Sequence, residues 1–175
     1  MNFKYIFIFL ISAIMLSFGL PKHLQKRVDK EIKNIFNTET FNLNPVLFTP
    51  EIVNQLPAKF DDNNLFHIVT NDSLMGFAYI GKARSKADDF DYLVLFDKDL
   101  IIIKSKVLIY REDYGGEIGS KRWLKQFVGK TYTDRFKYGE NIAAISGATI
   151  SVRAMTNAIN NVLASIKILH EKDLL

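Results

Sequence analysis

The sequence predicts an α+β fold: a small antiparallel sheet packed with helices, closed by a long C-terminal helix. Three observations carry that expectation. Strand-like stretches cluster in the middle of the chain, helical periodicity sits at its two ends, and the two do not alternate as a parallel α/β sheet requires. The 175 residues, 48% of them hydrophobic, suffice for one core-bearing domain and a short appendage.

The first element is an uncharged apolar run from Tyr5 to Leu20. It is shorter than the ~20 residues that span a bilayer. Residues 1–20 are therefore expected to be a signal peptide or membrane anchor that exports the chain to the periplasm or the outer face of the inner membrane. Ser17 and Gly19 have the small-residue spacing of a cleavage site. No Ala-x-Ala accompanies them, however, and Lys22, Lys26 and Arg27 outweigh Lys4 in the flanking charge. Cleavage and anchoring both stay open.

Residues 21–40 are expected to form an amphipathic helix and a linker. Leu24, Val28, Ile32 and Ile35 recur at helical spacing among charges, and the polar NTETFNLNP reads as a connection. FTPEIVNQLP predicts a short helix with Thr49 at its cap, Pro50 in its first turn and Pro57 beyond its end. LFHIVT and LMGFAYIGKA flank NDS as a hairpin, with Met75, Phe77 and Tyr79 alternating with smaller residues as in a half-buried strand. FDYLVLF and IIIKSKVLIY, joined by DKDL, form the clearest strand pair, rich in β-branched and aromatic residues. The glycines of REDYGGEIGS demand a loop. KRWLKQFVG predicts a short helix closed by Gly129, and KTYTDRFKYGENIAAI a strand and a loop. The last helix carries Val152, Met155, Ile159, Val162, Ile166 and Leu169 on one stripe.

Composition removes several functions. Without cysteine, this chain alone makes no disulfide, Cys-ligated zinc site, iron–sulfur cluster or catalytic thiol. The net charge of +4 is spread along the chain with no basic stripe, so no nucleic-acid partner is expected. His23, His67 and His170 share no metal-ligand spacing. Asp88, Asp89, Asp91, Asp97 and Asp99 lack the calcium-loop pattern and are expected at strand ends and a turn, so no metal site is assigned. No P-loop, nucleophile elbow or dinucleotide fingerprint occurs, and no catalytic residue is assigned.

Four small residues, Ser146-Gly147-Ala148-Thr149, stand directly before the last helix. From the residues alone two uses are open. Ser146 or Thr149 can cap the helix. Alternatively, the free N–H groups and the helix dipole can hold a phosphate, with Gly147 and Ala148 leaving the Thr149 hydroxyl accessible.

SGATIS before a helix resembles the flavin-attachment motif of the FMN-binding domain family. That family includes the C subunit of the sodium-translocating NADH:quinone reductase and the G subunit of the Rnf electron-transfer complex. YGGEIGSKRWLKQFVGK resembles the family's glycine loop followed by an aromatic, a Gln-aromatic pair and Gly-Lys. Gly115, Gly116, Glu117, Trp123, Gln126, Phe127, Gly129 and Lys130 stand where that pattern expects them. GFAYIGKA and YLVLFDKDLIII are similar to its preceding strands, so the resemblance spans roughly residues 72–168.

The resemblance implies an FMN-binding domain within residues 41–175 and an electron carrier serving a membrane-associated redox partner. Thr149 would carry FMN through a phosphoester installed by a separate flavin transferase that uses FAD and magnesium. Ser146, Gly147 and Ala148 would shape the turn around the phosphate. The loop with Glu112, Tyr114, Gly115, Gly116 and Glu117 would approach the flavin mainly through its backbone. The sequence departs from the family at Ala143, where an aspartate usually precedes the serine by three positions, and at REDYGG, where a threonine and proline often follow the glutamate. Two readings therefore stand beside the covalent carrier: a reductase with non-covalent FMN, and a flavin-free binding or assembly module of a membrane complex.

Overall fold

The computed structural model describes residues 20–71 and 73–175, so the expected signal or anchor lies outside the described residues except for Leu20. Among the described residues the α-helices are α1 (Lys22–Phe36), α2 (Pro50–Val53), α3 (Lys121–Leu124) and α4 (Thr149–Glu171). None is long and apolar enough to cross a membrane. The strands are β1 (Asn42–Pro45), β2 (Leu65–Thr70), β3 (Ser73–Arg84), β4 (Asp89–Asp97) and β5 (Ile102–Ile109). They form one antiparallel sheet in chain order, so the fold is α+β as expected.

Each terminal helix covers one face of the sheet with the stripe its sequence marks out. Leu24, Val28 and Ile32 of α1 are buried in one cluster with Phe66, Ile68, Ala78, Ile80, Leu93 and Leu95. On the other face the six stripe residues of α4 are fully buried among Phe77, Tyr79, Phe90, Tyr92, Val94 and Phe96. A strand covered on both faces loses the polar half of its alternation. This corrects the expectation of a half-buried β3: Phe77 and Tyr79 face α4, while Ala78 and Ile80 face α1.

Two polar stretches also depart from expectation. NTETFNLNP is not only a connection, because Asn42–Pro45 pairs with β2 as an edge strand. An edge strand needs only one hydrogen-bonded side and tolerates polar residues and proline. KTYTDRFKYGENIAAI contains no strand, only an isolated bridge between Tyr138 and Ile142. Asn160 of α4 holds it instead, accepting the Phe136 N–H and donating to the Phe136 carbonyl, both at 2.9 Å. The β4–β5 turn is as expected, with Asp97 Oδ1 accepting N–H groups from Asp99 and Ile101.

Burial raises the Tyr79 phenol to about 12, while its hydroxyl donates to the Lys59 carbonyl at 2.8 Å. Neighbouring Tyr92 is raised well above its usual value by the same desolvation. The unfolded chain releases the Tyr79 proton near the ordinary phenol value of 10.0, so this contribution is intact below pH 10 and lost as pH rises to about 12. Unfolding free energy by urea titration is expected to fall by about 2–3 kcal/mol across that window. In Tyr79→Phe the fall is expected to be shallower.

Candidate functional site

The turn before α4 removes one of the two uses left open for its small residues. Gly147, at φ +76°, reverses the chain and puts Ala148 at the cap position, where no side chain bonds the backbone. Neither Ser146 nor Thr149 is therefore a cap, which corrects that expectation. The first intrahelical bond runs from Val152 N–H to Ala148 O at 2.9 Å. Among the described residues, the N–H groups of Thr149, Ile150 and Ser151 meet no acceptor. Ala148 is buried, while Ser146, Gly147 and Thr149 are exposed.

The glycine loop packs directly on this turn. At Gly115, with φ +79°, an added Cβ would stand 2.8 Å from Ala148 Cβ and 3.1 Å from Tyr110 Oη. Tyr110 Oη donates to Tyr114 O at 3.0 Å and lies 2.9 Å from Ser151 Oγ, which is also bonded to Ser85 Oγ. Ser85 and Ser151 are both buried. This hydroxyl network ties the ends of β3 and β5 to the first turn of α4. Tyr114 is 83% exposed, and Gly116 and Glu117 are exposed beside it. Glu112 is engaged elsewhere: its carboxylate accepts N–H groups from Ala87 at 2.7 Å and Asp88 at 3.2 Å, which hold its pKa below the usual value. It fastens the loop to the β3–β4 turn.

Trp123 and Gln126 grip the segment that leads into the turn. Trp123 Nε1 donates to Ala143 O, and Ala143 N donates to Gln126 Oε1, both at 2.8 Å. The Gln126 amide also donates to Trp123 O at 2.8 Å. The Ala143 backbone is thus clamped on both sides, and the residue itself is exposed.

Sequence reasoning missed Ser85, Tyr110 and Ser151, which lie 66 and 41 positions apart along the network and leave no local signal. It also missed Arg153, which stacks over Tyr138 with its guanidinium 4.8 Å from the ring centroid. Its position four residues after Thr149, on the same side of the helix, was the available clue.

These residues fit a phosphate-linked group at the turn. Three free N–H groups, an exposed hydroxyl, two small neighbours and a nearby cation can meet an anion there. Because Gly115 has both a left-handed φ and no room for a Cβ, Gly115→Ala is expected to cost about 1–3 kcal/mol in urea unfolding. Gly116, with nothing within 4 Å, serves as the control, and Gly116→Ala is expected to stay within about 0.5 kcal/mol.

Residues 86–164 match the family model described as FMN-binding domain. Among solved structures, the crystal structure of Shewanella oneidensis NqrC aligns at 17% identity with a TM-score of 0.49. The alignment covers 63% of this chain and 61% of that one, less than two thirds of its length. No curated protein matches the chain.

Proposed function

We propose, from the match of residues 86–164 to the FMN-binding domain model, that the chain is a member of that family and an extracytoplasmic electron carrier with FMN esterified to Thr149. The observation that carries this reading is the contact between Gly115 and Ala148, which sets the glycine loop beside an exposed threonine on an uncapped helix. Bound FMN supplies reversible electron transfer; the chain supplies attachment and orientation. A free threonine hydroxyl is a poor nucleophile, so a flavin transferase must act on it. Attachment would form the bond from Thr149 Oγ1 to the FMN phosphorus and break the pyrophosphate of FAD, with AMP as the leaving group and the hydroxyl proton taken by the transferase. The free N–H groups of Thr149, Ile150 and Ser151 would meet the phosphate charge, and the exposed Tyr114 and Gly116 would border the side left open to a membrane redox partner.

Co-expression with a flavin transferase tests the reading. Flavin fluorescence that stays with the denatured band on a gel supports the covalent carrier. Colour lost on denaturation supports non-covalent FMN, a reading favoured by Ala143, which offers no carboxylate to a transferase. Protein colourless in both states overturns the flavin reading. Export rests on the apolar run that ends at Leu20, and a C-terminal alkaline phosphatase fusion is expected to be active only if the chain leaves the cytoplasm.

A further inference from the structure

A cleft of about 690 Å³ lies against the C-terminal part of β3. It exists because β3 outruns β2. Their ladder ends with Leu65 opposite Tyr79, and Asn64 closes it, accepting the Ile80 N–H and donating its amide to the Ile80 carbonyl, both at 2.7 Å. Backbone groups alternate in direction along a strand, so those of Lys82 and Arg84 point the same way as those of Ile80. On that side no strand follows among the described residues. Among the described residues, the N–H and C=O groups of Lys82 and Arg84 have no partner.

An open edge is a template for another strand, and proteins usually blunt it. The two outer edges of this sheet are managed: β1 is four residues long and ends in Pro45, and β5 is partly covered through bonds from Ile102 to Lys130 and Gly129. The edge at Lys82–Arg84 opens into the cleft instead. Its lining carries four cations, Lys59, Lys82, Arg84 and Arg111, against two acids, Asp61 and Asp91, an excess of two positive charges. Both acids are already paired, with Lys59 and Arg111, and Arg84 meets Asp89 at 3.5 Å on its exposed side, so among the described residues Lys82 is the lining cation with no ionic partner. Lys82 and Arg84 lie opposite Asp91 and Asp89 on β4 and therefore share one face of the sheet.

We infer that the open edge at Lys82–Arg84 docks an extended acidic segment of a partner protein, which adds to the sheet antiparallel to β3. Main-chain hydrogen bonds would supply the affinity and alternate side chains the selectivity. Residues directly opposite one another share a face, so the segment places carboxylates two positions apart opposite Lys82 and Arg84.

Fluorescence anisotropy of the full chain with a labelled peptide Thr-Glu-Val-Glu-Val-Thr tests this. The Glu peptide is expected to bind at least ten-fold more tightly than its Lys counterpart. Methylating the backbone nitrogens of its two glutamates is expected to weaken it at least ten-fold. Combining Lys82→Glu with Arg84→Glu, with folding verified by circular dichroism, is expected to invert the preference. The inference is overturned if the Glu peptide shows no saturable binding or is indifferent to N-methylation. It is also overturned if light scattering finds a dimer that charge reversal dissolves, since the occupant is then a second copy.

Discussion

Thr149→Val is expected to abolish flavin fluorescence in the denatured protein after co-expression with a flavin transferase, while Thr149→Ser retains it. Valine keeps the β-branched shape of threonine and removes only the hydroxyl on which the ester would form. The substitution leaves the fold intact, because Thr149 is exposed and its side chain makes no capping bond. Its unfolding free energy is therefore expected to stay within about 0.5 kcal/mol of the unmodified protein. That pairing separates a lost attachment point from a damaged helix terminus. Fluorescence persisting in Thr149→Val would move the attachment to another residue and leave the uncapped turn without its assigned role.

Phe127→Ala is expected to lower stability by about 3–5 kcal/mol in urea unfolding, as removal of a fully buried ring does. Phe127 is fully buried and stands edge-on between Trp123, at 5.3 Å between ring centroids, and Phe136, at 4.9 Å. The cavity would open beneath Trp123, whose indole holds the Ala143 carbonyl. Phe127→Ala is thus expected to loosen the segment that feeds the SGAT turn, seen as faster amide exchange at Ala143. Phe127→Leu, which retains more of the buried volume, is expected to recover part of the stability and slow that exchange.

The elements most accessible from sequence were those written in local periodicity. The stripes of α1 and α4 and the strands from Leu65 to Ile109 lie where spacing and β-branched residues put them. Their signals come from residues within a turn or two of one another, and packing reinforces them. Asn42–Pro45 escaped because an edge strand carries little hydrophobic pattern of its own; β2 supplies its hydrogen bonds. The half-buried reading of β3 failed because local alternation cannot reveal a second covering layer, and α1 provides one from a distant part of the chain.

At the candidate site the division is sharper. By itself, the sequence determined the small residues, the threonine hydroxyl and the helix that follows, and hence the chemistry available there. Only the tertiary structure decided that Ala148 takes the cap position, that Gly115 packs against it, and that Trp123 and Gln126 clamp Ala143. A hydroxyl capable of capping is a property of the residue. Whether it meets an N–H depends on the dihedral angles of Gly147 and on contacts made across the sheet, and those exist only once the chain has packed.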